Sequence, residues 1–230
     1  MRILAVIPAY NEEKSITKVI NDLCENAPDV DILVVNDGSA DNTASICREN
    51  PHCILIDMPF NVGLAFAVQT GLRYAAKHDY DYALQFDGDG QHRADYIKDL
   101  LAKSQEGYDI VIGSRFYTEK RPITLRTIGS SFVSIAMRLA SNIKITDPTS
   151  GMRLYNKKLL HEFAENINYE PEPDTLAYLA RKGVRICEVQ VTMDEREHGV
   201  SYFTLFRSVL YMLRMGFSIL IVQWFRKRGT

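Results

Sequence analysis

The sequence predicts an α/β protein in which a mostly parallel sheet is flanked by helices. Short apolar runs, first at Ile3–Ile7 and then at Ile32–Val35, have the length of buried strands. A polar loop and then a segment with helical spacing of apolar residues follow each run; in the first unit these residues are Ile16, Val19, Ile20 and Leu23. A chain of 230 residues that is 46% hydrophobic and 24% charged can form one large core.

The first unit predicts a strand, a loop and a helix in that order. Its strand stops at Pro8, and the polar run Ala9-Tyr10-Asn11-Glu12-Glu13 follows. Asn11 is a good N-cap residue, so we expect it to cap the first helix.

The second unit places an acidic residue at the tip of its strand. Asp37 follows Ile32–Val35 directly, and a short helix is predicted at about Ala44–Glu49. A carboxylate in that position can accept hydrogen bonds from a base N–H or a ribose hydroxyl. The pattern favours a nucleotide site at the carboxyl edge of the sheet.

A pair of carboxylates strengthens this interpretation. The apolar run Tyr82–Phe86 leads directly into Asp87-Gly88-Asp89-Gly90-Gln91-His92. Carboxylates at a strand end can bind Mg²⁺ or Mn²⁺, which bridges them to a diphosphate. Asp and Gly also favour plain turns, so the motif alone leaves a simple turn open.

Together, Ile7–Glu12, Val35–Ser39 and Asp87–His92 resemble the inverting glycosyltransferases of the GT-A fold. The resemblance extends from Ile3 to about Tyr202. It is greatest to the polyprenyl-phosphate glycosyltransferases, a group that includes dolichol-phosphate mannose synthases. It implies that Mg²⁺ or Mn²⁺ binds to Asp87, Asp89 and Gln91. It also implies that a nucleotide sugar binds to Pro8, Ala9, Tyr10, Glu12, Asp37, Gly63, Asp87, Arg196 and Ser201.

Three further residues are candidates for binding the acceptor. Arg115 follows the apolar strand Ile110–Ile112 and is placed to hold a phosphate with both arms of its guanidinium. Arg126 and Ser130 lie four residues apart, on one face of a helix predicted over Leu125–Leu139. The resemblance implies that these three residues bind the phosphate of a lipid acceptor.

The resemblance also assigns the loop Asp147–Arg153 to the sugar and the acceptor, although its residues equally favour a capped turn. A carboxylate facing the acceptor is expected before a helix at Thr175–Arg181, and Glu172 is the candidate, whereas Asp174 can cap the helix. The catalytic residues expected are Asp89, Arg115 and Glu172. An ionised lipid phosphate needs no strong base, whereas a sugar hydroxyl would require Glu172 to take its proton.

One departure concerns Arg196–Ser201, which resembles the family's segment that closes over the donor diphosphate. Many members carry a lysine after that serine, but Tyr202 stands here. Arg196, His198 and Arg207 are the possible substitutes for the missing cation.

The carboxyl-terminal segment differs from the rest of the chain in charge and hydropathy. Residues 198–230 contain five basic and no acidic residues, whereas the remainder has a net charge of −7. Arg207 and Arg214 interrupt the apolar runs, which favours an amphipathic segment on a membrane surface. A core or oligomer-interface helix, or a re-entrant hairpin hinged at Gly216, are alternatives. We therefore expect a catalytic domain at 1–201 and a membrane-associating tail at 202–230.

The favoured function is transfer of a sugar from a nucleotide sugar to polyprenyl phosphate, with a UDP-sugar such as UDP-N-acetylglucosamine or UDP-glucose preferred. The rivals are a glycosyltransferase that extends a polysaccharide or glycolipid, a sugar-phosphate nucleotidyltransferase, and a non-catalytic nucleotide-sugar sensor or membrane scaffold. The nucleotidyltransferase would need a basic glycine-rich amino-terminal loop, which the sequence lacks.

The expected location is the cytoplasmic face of the membrane, because the four cysteines have neither metal nor disulfide spacing. A small integral membrane partner and a homo-oligomer are possible partners. Nucleic acid is not expected, since the basic residues of the tail alternate with apolar runs.

Overall fold

The computed structural model describes residues 1–122, 124–166, 169–195 and 205–222. Within these residues, seven strands form one sheet in the order β3-β2-β1-β4-β6-β5-β7. The strands are β1 (Ile3–Ala9), β2 (Val30–Asn36), β3 (Cys53–Asp57), β4 (Tyr82–Gln85), β5 (Ile110–Ser114), β6 (Arg153–Asn156) and β7 (Ile186–Gln190).

The sheet is mostly parallel, as predicted. Strand β1 pairs in parallel with β2 on one side and with β4 on the other, and only β6 runs antiparallel, between β4 and β5. The strand order therefore reverses at β1. Ligands of open α/β sheets bind in the crevice at such a reversal, beyond the carboxyl ends of the strands.

Helices cover both faces of this sheet. Residues alternate along the strands, so that Leu4 and Val6 pack into one hydrophobic cluster while Ala5 and Ile7 pack into the other. The helices are α1 (Ile16–Asn26), α2 (Thr43–Glu49), α3 (Leu64–Lys77), α4 (Ile97–Gln105), α5 (Leu125–Ser141), α6 (Lys157–Glu165), α7 (Pro173–Arg181) and α8 (Leu205–Phe217), with a 3₁₀ turn at Ala94–Tyr96 and a π-helical turn at Ser218–Val222.

The predicted cap of the first helix is wrong. Ser15 occupies the N-cap position of α1, and Asn11 lies in the preceding loop with a φ of 56°. The Asn11 Oδ1 atom instead accepts a hydrogen bond from the backbone N–H of Ala40 at 2.8 Å. Local sequence favours a cap there, but the neighbouring loop supplies a competing partner.

Helix α8 packs against α5, and two glycines allow the close approach. A Cβ atom on Gly129 would lie 2.9 Å from Met212, and one on Gly216 would lie 2.1 Å from Phe132. Gly216 is therefore a packing position inside a helix, and the alternative of a hairpin hinged there is wrong. No helix among the described residues is long and apolar enough to cross a membrane.

The two helices have contrasting sides. The inner side of α8 belongs to the core, since Met212 and Met215 are buried, as is Ile219 of the π-helical turn. The outer sides form one exposed surface, here called the apolar face, which consists of Ile128, Phe132, Ile135 and Leu139 of α5 and Leu210, Leu213 and Phe217 of α8. Exposed apolar side chains grouped on two packed helices are typical of membrane or protein interaction sites.

Candidate active site

Hydrogen bonds between the loops after β1 and β2 hold the predicted donor-binding part of the site in place. The loop after β1 and the loop after β2 are joined by Asn11 N to Ser39 Oγ at 2.9 Å and by Glu12 N to Thr43 Oγ1 at 2.9 Å. Both loops leave neighbouring strands at the carboxyl edge of the sheet. The predicted donor-binding residues after β1 are thus held in a defined position.

These residues differ in their accessibility. Pro8 and Ala9 lie in β1 and are buried. Tyr10 is 40% exposed and offers a ring surface to a ligand. Glu12 is half-buried and accepts a hydrogen bond from Ser15 Oγ at 2.7 Å.

Asp37 holds the glycine-containing loop that precedes α3. Its buried carboxylate accepts hydrogen bonds from the backbone N–H groups of Val62 at 2.7 Å and Gly63 at 2.9 Å. Gly63 has a φ of 99°, which side chains disfavour. Each carboxylate oxygen has a second lone pair. The sequence predicted a ligand contact for Asp37, and the structure adds a loop-positioning contact.

Asp87 lies beyond the end of β4 and pairs with a buried histidine. Its Oδ2 atom is 3.1 Å from His92 Nε2, and Gln85 Nε2 lies 3.5 Å from its Oδ1. Burial acts to raise the pKa of Asp87, but His92, the hydrogen bond from Gln85 and the charge of Arg153 outweigh it and lower that pKa. The carboxylate is held in its ionised form, as a metal ligand must be.

Asp89 and Gln91 complete the acidic turn. Asp89 is 9% exposed, and its Oδ1 atom accepts the backbone N–H of Gln91 at 3.1 Å. The Gln91 side chain donates to the carbonyl of Asp194 at 3.3 Å, which ties the turn to the segment after β7.

The donor set of this turn suits a hard divalent cation. No cluster of three or more His, Cys, Asp or Glu side chains that could hold a metal occurs in the described parts of the chain. Mg²⁺ typically binds one or two carboxylates and completes its shell with water and substrate phosphates. The ionised Asp87 and its neighbour Asp89 fit that requirement.

The loop before β6 packs directly against Asp87. A Cβ atom on Gly151 would lie 2.0 Å from Asp87 Oδ2, so only glycine leaves room for the carboxylate. Next to it, the 3%-exposed Arg153 donates to the carbonyls of Pro148 and Pro171, both at 2.7 Å. This arginine fixes the loop and the segment before α7 relative to the acidic pair.

Arg115 is engaged by a buried carboxylate. Its Nε and Nη2 atoms donate to Asp147 at 2.7 and 2.9 Å, and the Asp147 side chain is fully buried. Burial lowers the pKa of Arg115, but Asp147 outweighs it and raises that pKa. The guanidinium group of Arg115, which was predicted to hold a phosphate, therefore binds Asp147. Glu188 in turn accepts the backbone N–H of Asp147 at 2.8 Å.

The predicted acceptor residues lie on α5. Ser130 Oγ is buried and has no hydrogen-bond partner among the described residues. Arg126 lies on the same helix, but its side chain is outside the described part of the chain. Sequence reasoning missed Arg121, which donates to Ser131 Oγ at 2.7 Å and Ser134 Oγ at 3.2 Å. No motif marks this arginine, because it lies in the loop before the helix.

Glu172 is the N-cap of α7, which begins earlier than predicted because Pro173 fits its first turn. Burial first, and then the charges of Asp174 and Glu170, raise the pKa of Glu172 to about 7, against the opposing charge of Arg214. A carboxyl group with this pKa can exchange a proton near neutral pH.

The π-helical turn contacts the same end of α7. Ser218 Oγ donates to Asp174 Oδ2 at 2.7 Å, so Asp174 is linked to the carboxyl-terminal helix. Asp174 also accepts the N–H of Thr175 at 2.7 Å. Glu172, the candidate acceptor carboxylate, is at this same end of α7 and therefore lies beside the carboxyl-terminal helix α8.

The structure thus places Asp37, Asp87 and Arg115 beyond strand ends at the carboxyl edge of the sheet. Arg196 and Ser201 lie outside the described residues, as does the side chain of Arg126. The structure adds Gly151, Arg153 and Asp147 as residues that position the others. These contacts could not be predicted from the sequence of the loop Asp147–Arg153, because its residues are also typical of a simple turn.

Comparisons with known proteins show which proteins this chain is similar to. The chain is 32% identical over 212 residues to an undecaprenyl-phosphate mannosyltransferase of Micrococcus luteus, with 87% of each protein covered. It is 31% identical over 245 residues to a UDP-N-acetylglucosamine–dolichyl-phosphate N-acetylglucosaminyltransferase of Methanococcus voltae, covering 93% of this chain and 96% of that protein.

A solved structure shares the fold. Glucosyl-3-phosphoglycerate synthase from Mycobacterium tuberculosis, crystallised with Mn²⁺, uridine diphosphate and glucosyl-3-phosphoglycerate, superimposes with a TM-score of 0.70 at 18% identity. The match covers 95% of this chain and 80% of that one. The GT-A fold predicted from the motifs is confirmed. Since residues 4–163 also match the sequence family described as glycosyl transferase family 2, the chain belongs to that family.

Proposed function

We propose that this protein transfers a sugar from a nucleotide diphosphate sugar to polyprenyl phosphate, with inversion at the anomeric carbon. The observation that carries the proposal is the position of the apolar face. Helix α5 carries Ser130, whose hydroxyl has no hydrogen-bond partner among the described residues, on its buried side and part of the apolar face on its exposed side. A lipid acceptor needs both a polar site for its headgroup and an apolar surface for its chain.

The donor is assigned to the crevice beside β1 and β4. Asp37 and the loop at Gly63 border its nucleotide end, and Asp87 and Asp89 lie where the diphosphate leaves. Mg²⁺ or Mn²⁺ bound to Asp87, Asp89 and Gln91 would neutralise charge on the departing diphosphate. Arg115 adds positive charge at the carboxyl end of β5, which β6 separates from β4, although Asp147 shares this charge.

The acceptor attacks from the side of α5 and α7. A phosphate monoester is already ionised near neutral pH, so it needs no strong base. In that reaction Glu172 orients the acceptor and does not take a proton. Arg196 and Ser201 are proposed to close over the donor.

The membrane is assigned to the apolar face and the basic segment 202–230. Seven large apolar side chains are exposed there on two packed helices. Their burial in the headgroup region would be favourable, and the basic residues would add attraction to anionic lipid. We therefore place the protein at the cytoplasmic face of the membrane. A small integral membrane partner or a second copy could share this surface.

The sugar is proposed to be N-acetylglucosamine or glucose carried on UDP. A relative that uses UDP-N-acetylglucosamine and a fold neighbour that binds uridine diphosphate support this choice. Because one relative is a mannosyltransferase, a nucleotide-linked mannose is the natural comparison in any assay.

A second candidate function is extension of a polysaccharide or glycolipid through a hydroxyl acceptor. The pKa of about 7 at Glu172 favours it, since a hydroxyl acceptor needs a base of that strength. The two functions differ in their need for Glu172.

The test is transfer of radiolabel from UDP- and GDP-sugars into extractable lipid, using purified protein, polyprenyl phosphate and Mg²⁺ or Mn²⁺. Asp89→Ala should abolish transfer. Asp95→Ala is the matched control, because Asp95 pairs with Arg93 on the exposed surface of the next turn, and it should transfer normally. Label that appears only in a hydroxyl acceptor would refute the lipid-phosphate proposal.

A further inference from the structure

Arg121 is a half-buried cation in the loop between β5 and α5. Its guanidinium donates to two hydroxyl groups of α5, those of Ser131 and Ser134. In the described part of the chain, no carboxylate lies within ion-pair distance of it. Burial lowers the pKa of Arg121, against the opposing charges of Asp147 and Glu188, and the charge of Arg115 adds to the lowering. A partly desolvated guanidinium of this kind is stabilised by an anionic ligand.

The neighbouring Arg115 differs, because its charge is paired with a buried carboxylate. Arg115 and Arg121 flank one aromatic ring, because each guanidinium carbon lies 5.2 Å from the centroid of Phe116. Arg115 is neutralised by two hydrogen bonds to Asp147, whereas the hydrogen bonds that Arg121 makes to described residues go to neutral hydroxyls. Of these two cations, Arg121 is the one that no described carboxylate neutralises by an ion pair, and its two hydroxyl partners leave several of its N–H groups for a phosphate.

A hydroxyl group without a partner lies on the same helix. Ser130 is adjacent in sequence to Ser131 and one turn before Ser134, the two residues that bind Arg121. Its Oγ atom is buried and lacks a hydrogen-bond partner among the described residues. A buried hydroxyl of this kind calls for a ligand, and phosphate oxygens accept from hydroxyl and guanidinium groups alike.

We propose that Arg121 binds the phosphate of the lipid acceptor together with the hydroxyl of Ser130, while Arg115 keeps its pairing with Asp147. The inference rests on the proposed function and names a residue of the acceptor site. The exposed side of α5, with Ile128, Phe132 and Ile135, would then lie against the membrane that holds the prenyl chain.

The experiment compares Arg121→Gln with Lys120→Gln, which removes the same charge from the exposed neighbouring residue. Transfer to farnesyl phosphate is measured at saturating nucleotide sugar, and donor KM is measured separately. Arg121→Gln should raise the acceptor KM about 10- to 100-fold and leave the donor KM unchanged. Arg121→Lys should recover part of the loss. Lys120→Gln should match the wild type in both constants.

A double variant separates phosphate binding from support of α5. Ser131→Ala with Ser134→Ala removes the two hydrogen bonds to the helix but retains the guanidinium charge. Its acceptor KM should rise much less than that of Arg121→Gln. An equal rise would show that Arg121 only anchors α5, and the proposal would fail.

Inorganic phosphate distinguishes the headgroup from the whole lipid. Phosphate should compete with farnesyl phosphate for the wild type and lose this effect in Arg121→Gln, because the headgroup provides the contact. Equal competition in both proteins, with unchanged acceptor KM, would refute the assignment. If the wild type transfers no sugar to any prenyl phosphate, the proposed function fails instead. Calorimetric binding of farnesyl phosphate to the wild type and Arg121→Gln then tests the site alone, and equal affinities would refute it.

Discussion

Replacing Gly151 with alanine should damage the acidic pair without removing any polar group. A Cβ atom at this position would lie 2.0 Å from Asp87 Oδ2, whereas ordinary contact begins at 3.4 Å. The carboxylate must therefore move by about 1.4 Å, since neighbouring atoms in a packed interior cannot overlap. Gly151 is not among the residues with positive φ, so its backbone accepts alanine and the effect is purely steric.

The displacement has two consequences of predictable size. Moving the carboxylate breaks its contact with His92, whose Nε2 atom lies 3.1 Å from Asp87 Oδ2. Overpacking of this kind lowers the free energy of unfolding by about 1 to 3 kcal/mol. For a protein of this size the Tm should fall by about 2 to 12 °C. A displacement of about 1 Å at a reacting group lowers the rate by about 100-fold, so kcat should fall by a similar factor.

The assay is a double-mutant cycle of thermal unfolding. It uses the wild type, Gly151→Ala, Asp87→Ala and the protein with both changes. Because Asp87→Ala removes the clashing atoms, Gly151→Ala should cost almost nothing in that background. An equal fall in Tm in both backgrounds would refute the reasoning, as would a Gly151→Ala enzyme with normal kcat.

The other predictions concern pH, the membrane and the donor loop. Because the pKa of Glu172 is raised from 4.5 to about 7, the folded protein holds this proton more tightly than the unfolded chain, and the free energy of unfolding should fall as pH rises between these values. Urea titrations at pH 5 and pH 8 should show a smaller fall in the Glu172→Gln variant. An equal fall in the variant and the wild type would contradict the assignment. Leu213→Lys should reduce sedimentation of the protein with anionic vesicles. Ile54→Lys should not, because Ile54 is an exposed apolar residue outside the apolar face. Equal vesicle binding by the two variants would exclude the apolar face as the docking surface. Asp37→Ala leaves two backbone N–H groups without their partner, which should lower the free energy of unfolding by about 1 to 3 kcal/mol. The donor KM should also rise. An unchanged donor KM would limit Asp37 to a structural role.

Much of the fold was predictable because its signals are local. Buried parallel strands appear as short apolar runs, and the residue that follows each run lies at the carboxyl edge of the sheet. This placed Asp37, Asp87 and Asp89 near one another before any contact was known. Helix α5 was predicted at Leu125–Leu139 and ends at Ser141, since its apolar spacing is regular.

The cap at Asn11 and the hinge at Gly216 were wrong for a common reason. Each residue type has a strong local preference, but a partner distant in sequence decided its use: Ala40 binds the Asn11 side chain, and Phe132 packs on Gly216. Local preference is a weak guide when a tertiary contact competes with it.

The sequence by itself determined the α/β architecture, the acidic pair and the family resemblance, because strand length, helical spacing and motif order depend on residues close together in the chain. Only the tertiary structure decided how the charges are used. Arg115 is bound by Asp147, 32 residues away, and Gly151 makes room for Asp87. Burial near neighbouring carboxylates raises the pKa of Glu172. Such effects depend on distance and desolvation, which arise when remote segments pack together.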